Sequence, residues 1–277
     1  MSSANSLSRV WEDPQAVPRI LQDIEVGPDG STQIFLRPLE GCYSRAPTLQ
    51  EALQKAPSKV RGYLTWLQEH GEDVSRDWWD APIEECEVVR GDWPVNLGDS
   101  VALFECDRGP MAEEEIQRNL RWMTYSWKDF LELLGHVPED AWDWKPPGQR
   151  RSIRRIVHHV ALVMVWYVMK LRRKGVDPPF HWPRGLSMWR AAREVEKGDL
   201  SPNRLTELRE ACAHRLRNLR PQEMEGRVTY HRPGGWTKRT EPEAWTARKV
   251  FRRFLWHERL HMRTMVKMLA AYGKGHA

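Results

Sequence analysis

Short apolar-rich runs at Ile20–Val26 and Thr32–Arg37 flank the turn sequence Gly27-Pro28-Asp29-Gly30. Two such runs around a Pro/Gly turn predict a β-hairpin. Pro38 closes the second run. Thr48 and Glu51 then form a T-x-x-E capping box just ahead of Leu49, Ala52 and Leu53, the mark of a helix start. The helical spacing resumes after Pro57 through Val60, Leu64 and Leu67 and stops at Gly71, with Pro57 expected to kink or restart the helix. Ile83–Val89 and Ser100–Cys106 read as two further strands. The order is β-β-α-β-β, a small α/β domain over residues 19–110, preceded by an extended arm at residues 1–18.

From Met111 the apolar period lengthens to that of helices. Glu113, Glu114 and Glu115 open the first, where carboxylates meet the positive end of the helix dipole; it is expected to reach His136. A second helix is expected over Ser152–Lys174. Shorter helical patterns cover Ser187–Lys197 and Pro202–Leu219, and a last long helix runs over Glu243–Tyr272. Arg227–His231 and Trp236–Thr240 flank a Pro-Gly-Gly turn and read as a hairpin. Four main helices at these spacings predict an antiparallel four-helix bundle over residues 111–277, so the fold class is α+β.

Composition narrows the class. At 277 residues, with 40 % hydrophobic and 29 % charged positions, the chain has enough apolar surface to fold without staples. The 15 tryptophans point to packed interfaces. Cysteines at 42, 86, 106 and 212 form no C-x-x-C pair, which argues against a disulfide scaffold, a zinc ribbon or a thioredoxin-type motif and fits a reducing cytoplasm. Cys42 and Cys212 have no His/Asp setting and read as structural. The first residues carry no signal-peptide pattern, and the longest apolar run, Val160–Met169, is half a membrane span.

Charge is split along the chain. Residues 1–110 hold 10 Lys/Arg against 19 Asp/Glu, and residues 111–277 hold 33 against 19. An acidic half joined to a basic half predicts intramolecular docking of the two rather than a nucleic-acid partner or a membrane surface.

The sharpest chemical signal is His257-Glu258-Arg259-Leu260-His261. Histidines at i and i+4 stand one turn apart, so both imidazoles reach one ion. Zinc and nickel accept neutral imidazole readily. On the helical wheel Val250, Phe254, Met265, Met268, Leu269 and Tyr272 mark an apolar face, and Arg252, Arg259, Arg263 and Lys267 a wet one. His257 and His261 flank the apolar face and Glu258 lies near its middle, where a carboxylate needs a cation, an imidazole or water as partner. H-E-x-x-H is also a zinc-peptidase signature, but no Asp or Glu follows His261, so a third ligand must come from upstream.

The second predicted helix supplies one. Within Ile156-Val157-His158-His159-Val160, His158 falls among arginines and His159 beside Ile156 and Val163, so His159 is the inward imidazole. His159, His257 and His261 make a three-nitrogen site with positions left for water or substrate, as catalytic sites require. Glu258 is the candidate proton acceptor. His181 and His231 lie in loops and read as surface residues, and Arg150–Arg155 is a basic cluster able to attract an anionic substrate.

Residues 112–274 resemble the DinB superfamily of four-helix bundles. The likeness rests on Ile156-Val157-His158-His159-Val160-Ala161 and on Trp256-His257-Glu258-Arg259-Leu260-His261. It implies one divalent metal, zinc or nickel, held by His159, His257 and His261. It also implies kinship with transferases and isomerases that use a low-molecular-weight thiol. Residues 20–75 are similar to the HicB antitoxin-like domain, through Leu39-Glu40-Gly41-Cys42-Tyr43, Thr48-Leu49-Gln50-Glu51-Ala52-Leu53, Tyr63-Leu64 and Trp66-Leu67. That likeness implies a small recognition or lid domain without its usual DNA-binding appendage. The combined expectation is a cytoplasmic, metal-dependent enzyme performing thiol transfer or hydrolysis on a small-molecule substrate. The rival is a non-enzymatic interaction protein with a structural or vestigial metal site.

Overall fold

The structure, a computed structural model, describes residues 18–92, 94–95, 100–171, 201–230 and 242–275. The class is α+β, with an N-terminal sheet, six helices among the described residues and a mostly helical C-terminal part. By contacts the chain divides into two compact units, one of residues 1–115 with 225–252, the other of residues 116–224 with 253–277. The first unit therefore takes in residues 225–252 as well as the stretch before residue 110 that the sequence marks off. No helix among the described residues is long and apolar enough to cross a membrane.

The first unit is built on a four-stranded sheet of order β3-β2-β1-β4, with β1 at Ile20–Val26, β2 at Thr32–Arg37, β3 at Tyr43–Ala46 and β4 at Ile83–Arg90. The β1–β2 hairpin is antiparallel, pairing Ile24 with Ile34, and its turn holds Gly30 at φ +81°. β4 runs parallel to β1, with Cys86 as the extra residue of a bulge between the pairs Gln22–Glu85 and Asp23–Glu87. α1 (Leu49–Glu69) is capped by Thr48, whose side chain accepts from the Glu51 N–H. It is one helix with Pro57 inside it, not two. It buries Ala52, Ala56, Val60, Tyr63, Leu64 and Leu67 and packs on β2 and β3.

Residues 100–104, expected as a strand, have no ladder partner, and Glu105–Arg108 is a 3₁₀ turn. Their backbone bonds go to carboxylates instead. Glu25 accepts from the N–H groups of Val101 and Ala102 and from the Ser100 hydroxyl, and Asp107 accepts from the Phe104 N–H. Phe104 meets Phe35 edge to face at 6.0 Å. β3 falls where the sequence suggests only a loop, because four residues between Cys42 and Pro47 carry too short a pattern to stand out.

The segment 225–252 joins this unit. β5 (Val228–Tyr230) pairs antiparallel with β6 (Glu243–Trp245); residues 236–240, expected as the second hairpin strand, lie outside the described residues. Thr246 accepts from the Lys249 N–H, so the last helix starts at Ala247 rather than Glu243. The first turns of that helix are buried all round, and Arg252, expected on a wet face, is only 3 % exposed. Its guanidinium forks onto Asp107 at 2.6 and 3.1 Å and lies over the rings of Phe35 and Phe104. Arg248 similarly forks onto Glu115, and fully buried Lys249 pairs with Glu243 and donates to the Val101 carbonyl.

The second unit is helical. α2 (Glu113–Gly135) begins on its three glutamates; α3 (Ile153–Met169) is capped by Ser152; α4 (Pro202–Arg217) is capped by Ser201, with proline at its start; α5 is the short Pro221–Glu225. α6 (Ala247–Gly275) contributes its residues from Arg253 onward. α3 and α4 pack together, and the helices bury Trp122, Phe130, Ile156, Val160, Leu208 and Phe254. The helix expected over Ser187–Lys197 falls outside the described residues.

Candidate metal centre

His257 and His261 are one turn apart on α6, and their ring centroids are 4.4 Å apart. His159, two turns into α3, brings its ring within 4.9 Å of both. The nitrogens that would serve as ligands all lie within 4.8 Å of one another, and Nε2 of His159 is 3.1 Å from Nε2 of His257. His159, not His158, is the helix-α3 member of the cluster.

The spacing tests the fit of a metal. Zinc–nitrogen bonds of about 2.0–2.1 Å put neighbouring nitrogens about 3.3 Å apart at a tetrahedral angle and about 2.9 Å apart at a right angle. The His159–His257 separation lies between these values. A pair at the 4.8 Å limit reaches the same range when the two rings together close by about 1.5 Å. The donors are three imidazoles with no carboxylate or thiolate among them, a set suited to zinc, nickel or a similar ion.

The surroundings favour the neutral form of two of the imidazoles, His159 and His257. Burial pushes His159 down to about 4, with Arg151 adding to the shift. His257, 5 % exposed, is pushed well below its usual value by burial first, then by His261, His159, Arg253 and Arg151. Neutral imidazole is the form that binds a metal. The His257 ring meets the Tyr167 ring edge-on at 5.8 Å. Tyr167 is fixed in turn by Arg253, whose Nη2 donates to the tyrosine hydroxyl at 3.1 Å while the guanidinium lies over Trp256.

Glu258 has found its cation. It is 1 % exposed, and both its oxygens accept from Arg209 of α4, at 2.8 and 3.2 Å; Ser126 also bonds to it. Arg209 reaches on to the Met123 carbonyl of α2 and stacks on Trp127 and Phe254. Burial pushes the Glu258 carboxyl up while Arg209 pulls it down. A forked, doubly bonded carboxylate ties α2, α4 and α6 together.

Arg209 and Arg253 are the residues that sequence reasoning passed over. Arg209 had a signal: it interrupts the stripe Leu205, Leu208, Cys212, Leu216 on α4, and an arginine in an apolar stripe demands a buried anion. Cys212, on that stripe, is buried, and burial pushes its thiol up to about 12, so it is inert; Cys42 is buried as well. His181 and His231 lie outside the described residues.

Comparison with known proteins gives one match. No curated protein and no solved structure matches the chain. The sequence profile of the DinB superfamily matches residues 123–265, a span that contains all three clustered histidines, Glu258 and Arg209, and by that match the chain belongs to the DinB superfamily.

Proposed function

We propose that His159, His257 and His261 hold one divalent transition ion, zinc or nickel, and that the chain is a metal-dependent enzyme of the DinB-like, four-helix-bundle type acting on a small substrate. The observation that carries this reading is the convergence of three imidazoles with no anionic ligand among them. An ion in such a site keeps its full +2 charge and lowers the pKa of a thiol or water at an open position. Thiol transfer is the first reaction to test, and hydrolysis the second.

The chain's own residues prepare the site. Tyr167 and Trp256 wall the His257 ring and exclude water from it. Arg253 holds Tyr167 in place. Glu258, the proton acceptor expected from the motif, has both oxygens engaged by Arg209. We therefore give it a positioning role, holding α4 and α2 against the helix that carries His257 and His261.

For residues 20–75 we propose a HicB-like recognition module. The β1–β2 hairpin, the Pro38–Cys42 loop and the capped α1 support it. The attraction between acidic and basic halves of the sequence is supported by the Arg252–Asp107 pair of the first unit.

The test is a panel of electrophiles offered with several low-molecular-weight thiols, beside ester and amide substrates. Activity that disappears on chelation and returns with zinc or nickel is the expected result. Silence across both panels with fully metallated protein would return the chain to the interaction-protein reading.

A further inference from the structure

The first unit holds a cavity of about 290 Å³, part of it open to solvent. The end of β2, the loop after it, the 3₁₀ turn and the start of α6 enclose it, with Phe35, Leu36 and Leu39 as apolar walls. The guanidiniums of Arg37, Arg248 and Arg252 also line it. Each forks onto a carboxylate of its own, Arg37 onto Asp23, Arg248 onto Glu115 and Arg252 onto Asp107. Arg248 spends its remaining nitrogen on the carbonyls of Cys106 and Gly109. The other two arginines keep one nitrogen in hand. Arg252 is 3 % exposed, and its buried Nη1 has no hydrogen-bond partner among the described residues. Nη1 of Arg37 likewise donates to nothing among the described residues.

A buried guanidinium N–H without an acceptor is costly, so this wall calls for an acceptor oxygen. A carboxylate is the natural complement of guanidinium donors. A bare anion is nevertheless a poor fit. Glu40, itself buried, lines the same cavity. With it the surrounding groups count four carboxylates, Asp23, Glu40, Asp107 and Glu115, against three guanidiniums. A ligand with a carboxylate at one end and an ammonium at the other meets both demands and adds no net charge. The loop that carries Glu40 is held in place beforehand. The Cys42 N–H donates to the Leu39 carbonyl at 2.7 Å, the Tyr63 hydroxyl donates to the Glu40 carbonyl, and Gly41 turns the chain at φ +90°.

We propose that this cavity is a binding site for a small free α-amino acid, whose carboxylate takes the Nη1 groups of Arg37 and Arg252 and whose ammonium takes Glu40. The apolar walls admit a short aliphatic side chain. The site involves none of the clustered histidines, and its test needs no metal.

The experiment uses the full chain and three probes: L-alanine, propionate, which lacks the ammonium, and ethylamine, which lacks the carboxylate. Ligand-detected NMR titrations give the affinities, and hydrogen–deuterium exchange locates the site. L-Alanine should slow exchange in the backbone of residues 39–42. Wild type should bind it at least about tenfold more tightly than either fragment, because each charged end makes its own charge-assisted bonds. Glu40→Gln should bring alanine to within about twofold of propionate. Arg252→Lys keeps a cation for Asp107 but loses the fork, and should weaken alanine and propionate at least about fivefold while leaving ethylamine unchanged. Should Arg252→Lys not unfold cooperatively, Arg37→Lys takes its place. The Glu40→Gln comparison and the exchange map need neither arginine variant.

Unchanged exchange at residues 39–42 with L-alanine in wild type overturns the proposal. So does equal affinity for alanine and propionate in wild type, or a preference for alanine that survives in Glu40→Gln.

Discussion

Buried His257 and half-buried His159 give the cluster a pH dependence of definite sign. In the unfolded chain a histidine titrates near 6.5, whereas in the folded protein His159 titrates at about 4 and His257 well below its usual value. As pH falls through 6.5 the unfolded state takes up protons that the folded state refuses, so stability falls. The loss is at most about 1.4 kcal/mol per pH unit for each histidine, and for His159 it levels off near pH 4. Urea unfolding of metal-free protein should therefore show a lower midpoint at pH 5.5 than at pH 7.5. His159→Asn should flatten part of that dependence. A midpoint that rises on acidification would contradict the burial of these rings. Metal release should follow the same direction, because protons and the ion compete for the same nitrogens.

At the scale of elements, the Arg209–Glu258 pair is the clasp between α4 and α6. Breaking one side of a buried pair costs about 3–5 kcal/mol, whereas removing both charges in favour of packed apolar groups can be nearly neutral. Glu258→Gln should lower the unfolding free energy by several kcal/mol, and Arg209→Met combined with Glu258→Gln should lower it by less than the two single changes summed. A double-mutant cycle in denaturant measures this coupling. If Glu258→Gln leaves stability untouched and removes activity alone, the residue is a base after all. This clasp also shows why only part of the site was legible in the sequence. His257, His261 and His159 are readable because spacing and wheel position are local properties of a helix. The partner of Glu258 lies 49 residues away on another helix, and no local pattern carries that distance. The same holds for the sheet. β1, β2, β4 and α1 announce themselves through short apolar runs, turns and the Thr48 cap. Residues 100–104 resemble a strand in composition, but Glu25 and Asp107 take their N–H groups first. Arg252 reads as a wet-face residue until Asp107 is seen to bury it.

At the scale of the whole molecule, the split between acidic and basic halves has a consequence for salt. Docking through exposed charges would weaken as ionic strength rises, because screening acts over about 8–10 Å. The Arg252–Asp107 pair, which joins the two halves of the sequence within the first unit, is buried: Asp107 is inaccessible and Arg252 nearly so. Buried pairs are screened far less. The thermal midpoint of the first unit's unfolding should therefore change little between low salt and 0.5 M sodium chloride, while Arg252→Ala should lower it at both. A large fall with salt in the wild type would show that exposed charges carry the attraction.

The central claim is that three histidines from α3 and α6 form one metal centre, and metal content with coordination tests it most directly. Elemental analysis and X-ray absorption on purified wild type should give one divalent transition ion per chain, with a first shell dominated by imidazole nitrogen at about 2.0–2.1 Å. His159→Ala, His257→Ala and His261→Ala, each shown to be folded, should each lose most of that metal. Unchanged metal content in the His257→Ala and His261→Ala variants, or a first shell of sulfur in the wild type, would contradict the account.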